Sequence, residues 1–272
     1  EVCPMDVDMG AVCKNARESM VINGHMPPSA HDFALRDLAF SNGDQFAVSM
    51  QAPDRPQTQY VFFPGCQLSG SSPEYVDEAF GFLQGALGKD GVGLMLRCCG
   101  VPADWAGRED LVGQADAEFI SELAKLGNPT LIIACSSCFQ YFSEHFPELK
   151  LLSLWEVYDE FGSDMLPKYD VTELISVHDP CSTRYESGIQ ESVRSLLIKM
   201  GCTLEELEYS RERSKCCSYG GVMWLANRPV AEKMAQTRIA ESPQDYITYC
   251  AMCQDFFVRR GKETRHLLDY IY

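Results

Sequence analysis

TLIIACSSC, residues 130–138, is a short apolar run that ends on Cys135-x-x-Cys138, and 115 residues later DYITYCAMC, residues 245–253, ends on Cys250-x-x-Cys253. Each reads as a buried strand running into a C-x-x-C pair that opens a helix-like segment, FQYFSEHF (139–146) or QDFFVRRG (254–261). A helix N-terminus favours thiolates there, through the positive end of its dipole.

The correspondence extends upstream. The first set is Cys66, the adjacent Cys98 and Cys99, then Cys135 and Cys138; the second is Cys181, the adjacent Cys216 and Cys217, then Cys250 and Cys253. Between the sets the offsets are 115, 118, 118, 115 and 115 residues, so five cysteines keep their order and nearly their spacing. Such self-similarity marks a duplicated fold. YVFFPGC (60–66) and LISVHDPC (174–181) read as further strands that end on a turn holding a cysteine. Amphipathic helices lie between, over residues 73–89 and 110–127 in the first half and 191–201 and 226–242 in the second. Strand–helix alternation argues for an α/β fold with a largely parallel sheet in each half. Ligands of such sheets gather beyond the carboxyl ends of the strands, where Cys66, Cys135, Cys181 and Cys250 are expected.

The chain has 272 residues, 46% of them apolar, enough for one large domain or two of ordinary size with a real core. A net charge of −16 makes a phosphate backbone an unsuitable partner, so no nucleic-acid role is expected. No apolar run approaches the length of a spanning helix and no signal segment opens the chain, so a cytoplasmic protein is expected. The opening EVCPMD lacks an initiator Met and reads as part of something longer. Thirteen cysteines, an odd count at paired and repeated spacings, favour metal ligation in a reducing compartment over disulfides.

A structural zinc site takes four ligands, and five per half overshoot it. A redox dithiol would use C-x-x-C and leave the adjacent pair and the leading cysteine unexplained. An iron–sulfur cluster suits several soft thiolates best, with adjacent cysteines serving or bridging neighbouring irons.

The spacing C-x31–39-CC-G-x35–36-C-x-x-C resembles the cysteine-rich CCG motif of the heterodisulfide reductase catalytic subunit, here in tandem over roughly residues 60–272. The resemblance implies two repeated Rossmann-like CCG domains related by a pseudo-two-fold, 60–168 and 169–272, after a ferredoxin remnant and linker at 1–59. It implies one noncubane [4Fe-4S] cluster on Cys66, Cys98, Cys99, Cys135 and Cys138, and another on Cys181, Cys216, Cys217, Cys250 and Cys253. It implies further a disulfide, or two thiols, reacting between the clusters as electrons arrive singly. Ser218 stands where the motif has Gly, and the 32-residue gap of the second half is slightly short. Related electron-transfer subunits of glycolate, lactate and glycerol-3-phosphate oxidation carry paired CCG domains as well. They offer the alternative of a conduit from a flavin dehydrogenase to a quinone-reducing membrane partner. Implied partners are therefore ferredoxin-type, flavoprotein or membrane cytochrome subunits, with attachment to the inner membrane face through one of them.

Cys3-Pro4 resembles the end of a ferredoxin run, which implies cubane [4Fe-4S] clusters in an upstream domain. Cys13 and Cys202 fall outside the repeat and read as small buried hydrophobes. His178, in VHDPC, is a candidate proton donor for departing thiols; the alternative is a His-Asp-Pro turn that positions Cys181. His25, His31, His145 and His266 have no metal spacing. In SYGGVMW (218–224), Gly220 and Gly221 lack a phosphate-loop pattern and are expected to let the backbone pass close to a cluster. Met223 and Trp224 beside them could wall a substrate pocket.

Overall fold

The computed structural model describes residues 5, 7–53, 57–88, 91–162, 164–169 and 174–272. Two sheets carry the duplicated halves. In the first, β1 (Val48–Met50), β2 (Tyr60–Phe63), β3 (Val92–Leu96), β4 (Thr130–Ile133) and β5 (Leu151–Ser153) lie in the order β1-β3-β2-β4-β5. In the second, β6 (Leu174–His178), β7 (Thr203–Glu206), β8 (Tyr246–Thr248) and β9 (Thr264–His266) lie in the order β7-β6-β8-β9. Among the described residues every pairing is parallel except β1 with β3, which adds an antiparallel edge. Without β1 the two orders are the same, β2 matching β6 and β4 matching β8, as a duplication requires.

Within the first sheet, side chains alternate with the period of a pleated strand. Val61, Phe63, Leu131 and Ile133 face one core with Phe119 and Leu123 of α6 (Glu109–Lys125) and Phe142 of α7 (Ser136–His145). Phe62 and Ile132 face the other. There α4 (Pro73–Leu87) buries Val76, Ala79, Phe82 and Leu83 at helical spacing, and α8 (Leu154–Phe161) adds Trp155 and Tyr158 behind a Ser153–Glu156 capping box. The same core takes in Ile175, Val177 and Ile247 of the second sheet, Val193 and Leu197 of α9 (Ser187–Lys199), and Leu268 of α13 (Leu268–Ile271). One apolar interior therefore joins the halves. The outer face of the second sheet is covered by α11 (Arg228–Ile239) and α12 (Ala251–Val258), which bury Ala235, Phe256 and Phe257.

The halves meet reciprocally. The short helix α3 (Cys66–Ser71) packs on α12, and the turn Cys181–Thr183 packs on α7. Each leading cysteine thus sits against the other half's C-x-x-C helix. Upstream, α1 (Met9–Ile22) and α2 (Asp32–Ser41) precede β1, while α5 (Val101–Trp105) and α10 (Met223–Ala226) follow the two adjacent-cysteine loops. Cys3 and Pro4 lie outside the described residues, as do residues 54–56 of the expected linker. Among the described residues no helix is long and apolar enough to cross a membrane.

Candidate metal centres

Three strand ends deliver the first set. Cys66 follows β2 and opens α3, Cys98 and Cys99 follow β3, and Cys135 caps α7 after β4 with Cys138 in its first turn. The strand order reverses between β2 and β4, which leaves a crevice at their carboxyl edge. Gly65 makes the approach possible. Its φ is +84°, and a Cβ there would lie 2.8 Å from Cys135 Cβ and 3.3 Å from Cys138 Sγ. Gly65→Ala is expected to cost about 2–4 kcal/mol through left-handed strain and overpacking, read as a lower denaturation midpoint. From upstream, Asn42 Oδ1 accepts the Cys98 backbone N–H at 2.9 Å.

The second set is assembled differently. Cys181 follows β6, and Cys250 and Cys253 follow β8 as their counterparts do, but Cys216 and Cys217 sit at the end of a longer connection after β7. Asp179 ties that connection down. Fully buried, it accepts two hydrogen bonds from Arg194 (3.0 and 2.9 Å), one from Tyr249 Oη (3.0 Å) and one from the Arg211 backbone N–H (2.9 Å). Its carbonyl accepts from Ser214 Oγ, and Arg184 donates to the Ser214 carbonyl. Sulfurs then close in pairs: Cys181 to Cys216 at 3.5 Å and Cys253 to Cys217 at 3.3 Å. The Ser218 N–H donates to Cys216 Sγ at 3.2 Å.

All ten cysteines are free thiols, six of them buried and four half-buried. Hydrogen bonds between neighbouring thiols, together with burial, push Cys66, Cys138, Cys181, Cys217 and Cys253 well above the ordinary thiol value. Burial opposes ionisation at Cys99, but hydrogen bonds from Cys138 and Cys98 outweigh it and bring that thiol down to about 6. Cys216 is held well below the ordinary value by Cys181 and Cys217, and Cys250 is lowered by Cys253. Each set thus has at least one thiol shifted toward the thiolate, the form in which cysteine binds metal. Among the described residues no three or more His, Cys, Asp or Glu are grouped as a single metal ion requires. Two quintets of uncrosslinked soft donors, largely withdrawn from solvent, fit a polynuclear iron–sulfur group by their chemistry.

A cavity of about 570 Å³ opens onto the first set, and all five of its cysteines line it. Phe33 and Phe40 of α2 close one side; Tyr219 and Trp224 of the second half close another. No cysteine of the second set lines it. Cys135 and Cys250 border a smaller void of about 10 Å³ at the junction of the halves, so the two quintets flank one interface.

Trp224 lines the large cavity as expected of a pocket wall. Gly220 lies against the indole of Trp105, 3.3 Å from where its Cβ would be, rather than against a cysteine. Among the described residues nothing comes within 4 Å of a Cβ on Gly221. Cys202 is buried, whereas Cys13 is exposed on α1, a correction that follows from a helix with no buried residue. His178 is fully buried, stands edge-on to Phe257 and accepts from Arg238 Nε at 3.1 Å; burial and the Arg238 charge hold it well below the usual imidazole value. The neighbouring Asp179 ties the turn that carries Cys181 to Arg211 and Ser214. Asp179, Arg194, Ser214 and Asn42 were not identified from sequence; the Asp in VHDPC was the only visible signal.

Residues 60–143 and 175–257 each match the model of the cysteine-rich domain, CCG, and the chain belongs to that family. It is 22% identical to EtfAB:quinone oxidoreductase of Syntrophomonas wolfei, over 93% of this chain and 41% of that protein. It is 25% identical to the D-type polypeptide of dihydromethanophenazine:CoB–CoM heterodisulfide reductase from Methanosarcina barkeri, over 53% of this chain and 39% of the relative. The corresponding polypeptide of Methanosarcina mazei is 23% identical, over 63% and 45%. The chain spans about two fifths of the length of these relatives.

Proposed function

We propose that this chain is an iron–sulfur oxidoreductase subunit that holds one noncubane [4Fe-4S] cluster on each cysteine quintet and reduces a disulfide, or oxidises two thiols, in the cavity beside the first. The observation that carries this reading is that all five cysteines of the first set line a cavity of small-molecule size. Bound there, the cluster would supply single electrons next to the substrate sulfurs. Reduction of the disulfide takes two electrons and two protons and yields two thiols. Cys66, Cys98, Cys99, Cys135 and Cys138 would hold the group nearest the cavity. Tyr219, Trp224, Phe33 and Phe40 would enclose an apolar substrate body and exclude water. Cys181, Cys216, Cys217, Cys250 and Cys253, behind the junction, would hold the relay. The proposed domains are 60–168 and 169–272, with residues 1–59 belonging to the upstream ferredoxin part. Ferredoxin-type, flavoprotein or membrane cytochrome subunits are the proposed electron partners.

A second reading is favoured by the relative that aligns with 93% of the chain, named as a quinone oxidoreductase acting with EtfAB. In it, electrons from a flavoprotein cross both quintets toward a membrane quinone without substrate chemistry in the cavity. Anaerobic reconstitution followed by iron, acid-labile sulfide and EPR measurement separates the two. A spectrum altered by added thiol supports the first reading; one blind to thiols but responsive to a partner flavoprotein supports the second. Cys216→Ser is expected to remove roughly half of the bound iron and to spare the other signal; unchanged iron and spectrum would reject the assignment of Cys216.

A further inference from the structure

The two adjacent-cysteine corners carry the same backbone turn and different chemistry. After Cys99, Gly100 takes φ +107°; after Cys217, Ser218 takes φ +82°. Serine rarely accepts that left-handed conformation, and strain of this kind points to a role that retains it. Ser218 is 1% exposed, and its Oγ has no hydrogen-bond partner among the described residues. A buried polar group left without a partner calls for one that binds later.

The first half shows how the hydroxyl is accommodated. A Cβ on Gly100 would lie 3.1 Å from Tyr141 Oη and 3.3 Å from Ala115 Cβ, so a side chain there crowds the phenol. Tyr141 donates its proton to Asp116 at 2.7 Å. At the residue matching Tyr141 by the 115-residue offset stands Phe256, which has no hydroxyl. The second corner thus lacks that phenol and carries the Ser218 hydroxyl instead. The Tyr141 hydroxyl is committed to a carboxylate, whereas Ser218 Oγ has no partner among the described residues; Ser136 Oγ, between Cys135 and Cys138, has none either.

We infer that the Ser218 hydroxyl donates a hydrogen bond to a sulfur of the cluster held by the second quintet and so raises that site's reduction potential. This rests on the iron–sulfur reading above. A proton aimed at cluster sulfur stabilises the added electron, which is how such hydrogen bonds tune these centres.

The test is an anaerobic redox titration followed by EPR on the reconstituted protein, its Ser218→Ala and Ser218→Gly variants, and a Gly100→Ser/Tyr141→Phe double variant. In both Ser218 variants one couple is expected to fall, with about a tenfold shift toward its oxidised form, ~59 mV for one electron, and the other couple to stay. Glycine suits the left-handed φ, so S218G guards against a folding defect in S218A. The double variant, which places the same hydroxyl at the first corner, should raise the other couple. Unmoved couples at full iron content overturn the inference alone. A wild-type protein that takes up no iron or sulfide overturns the reading beneath it as well.

Discussion

Replacing Asp179 by alanine is expected to lower stability by about 3 kcal/mol, a fall in Tm of roughly 6–12 °C for a chain of this size. Asp179 is fully buried, and its partner Arg194 has a side chain only 5% exposed. Removing the carboxylate leaves that guanidinium with the Gln190 carbonyl and, as its charged partner among the described residues, Glu206, which is 43% exposed and better solvated. Stranding a buried charge costs more than the intact pair contributes, which is why truncation is severe. The variant also loses the acceptor for the Arg211 N–H and the Tyr249 hydroxyl, leaving the backbone carbonyl at 179 to Ser214 as the remaining tie there between the Cys181 turn and the connection carrying Cys216 and Cys217. The second quintet should therefore lose iron while the first keeps it. Thermal denaturation and iron content measured together check both. Asp179→Asn keeps an acceptor without the charge and should fall between.

Acidification is expected to be as damaging. His266 is 3% exposed, and burial brings it from 6.5 down to about 4, against the weaker pull of Asp269. Its folded value is depressed, so the native state prefers the neutral ring. At pH 7 neither state is protonated; as pH falls below 6.5 the unfolded chain takes up a proton that the folded one refuses until about 4. The stability present above 6.5 is lost across that interval, about 3 kcal/mol from this one residue. His178 is lowered as well and acts in the same direction. Glu206, lowered by its hydrogen bond to Arg194, adds a loss below the ordinary carboxylate range. Urea denaturation at a series of pH values under anaerobic conditions measures the slope, and His266→Gln should flatten the part between 6.5 and 4.

Both effects come from buried polar groups, which is where sequence reading was weakest. The apolar runs before Cys66, Cys135, Cys181 and Cys250 were legible as strands because continuous burial leaves a continuous apolar signal. Their parallel pairing followed from strand–helix alternation, and the offsets of the cysteines marked the duplication. Strands β1, β5 and β9 are three residues each and carry no periodicity long enough to read. Ser218 was visible as a departure from the motif, but its positive φ and lone hydroxyl were not. Gly220 was misplaced because a glycine reports a close approach without naming what approaches; the neighbour is Trp105 from the other half.

The sequence by itself determined the duplication, the α/β class and the ten cysteines that repeat, because equal spacing on equal folds must return the same residues to the same strand ends. Tertiary structure alone decided that the halves share one core, that a cavity is lined by all five cysteines of the first quintet, and that Asp179 and Ser218 differentiate the second. Those outcomes depend on which side chains meet across many residues of chain, and burial, not spacing, sets the energy of each meeting.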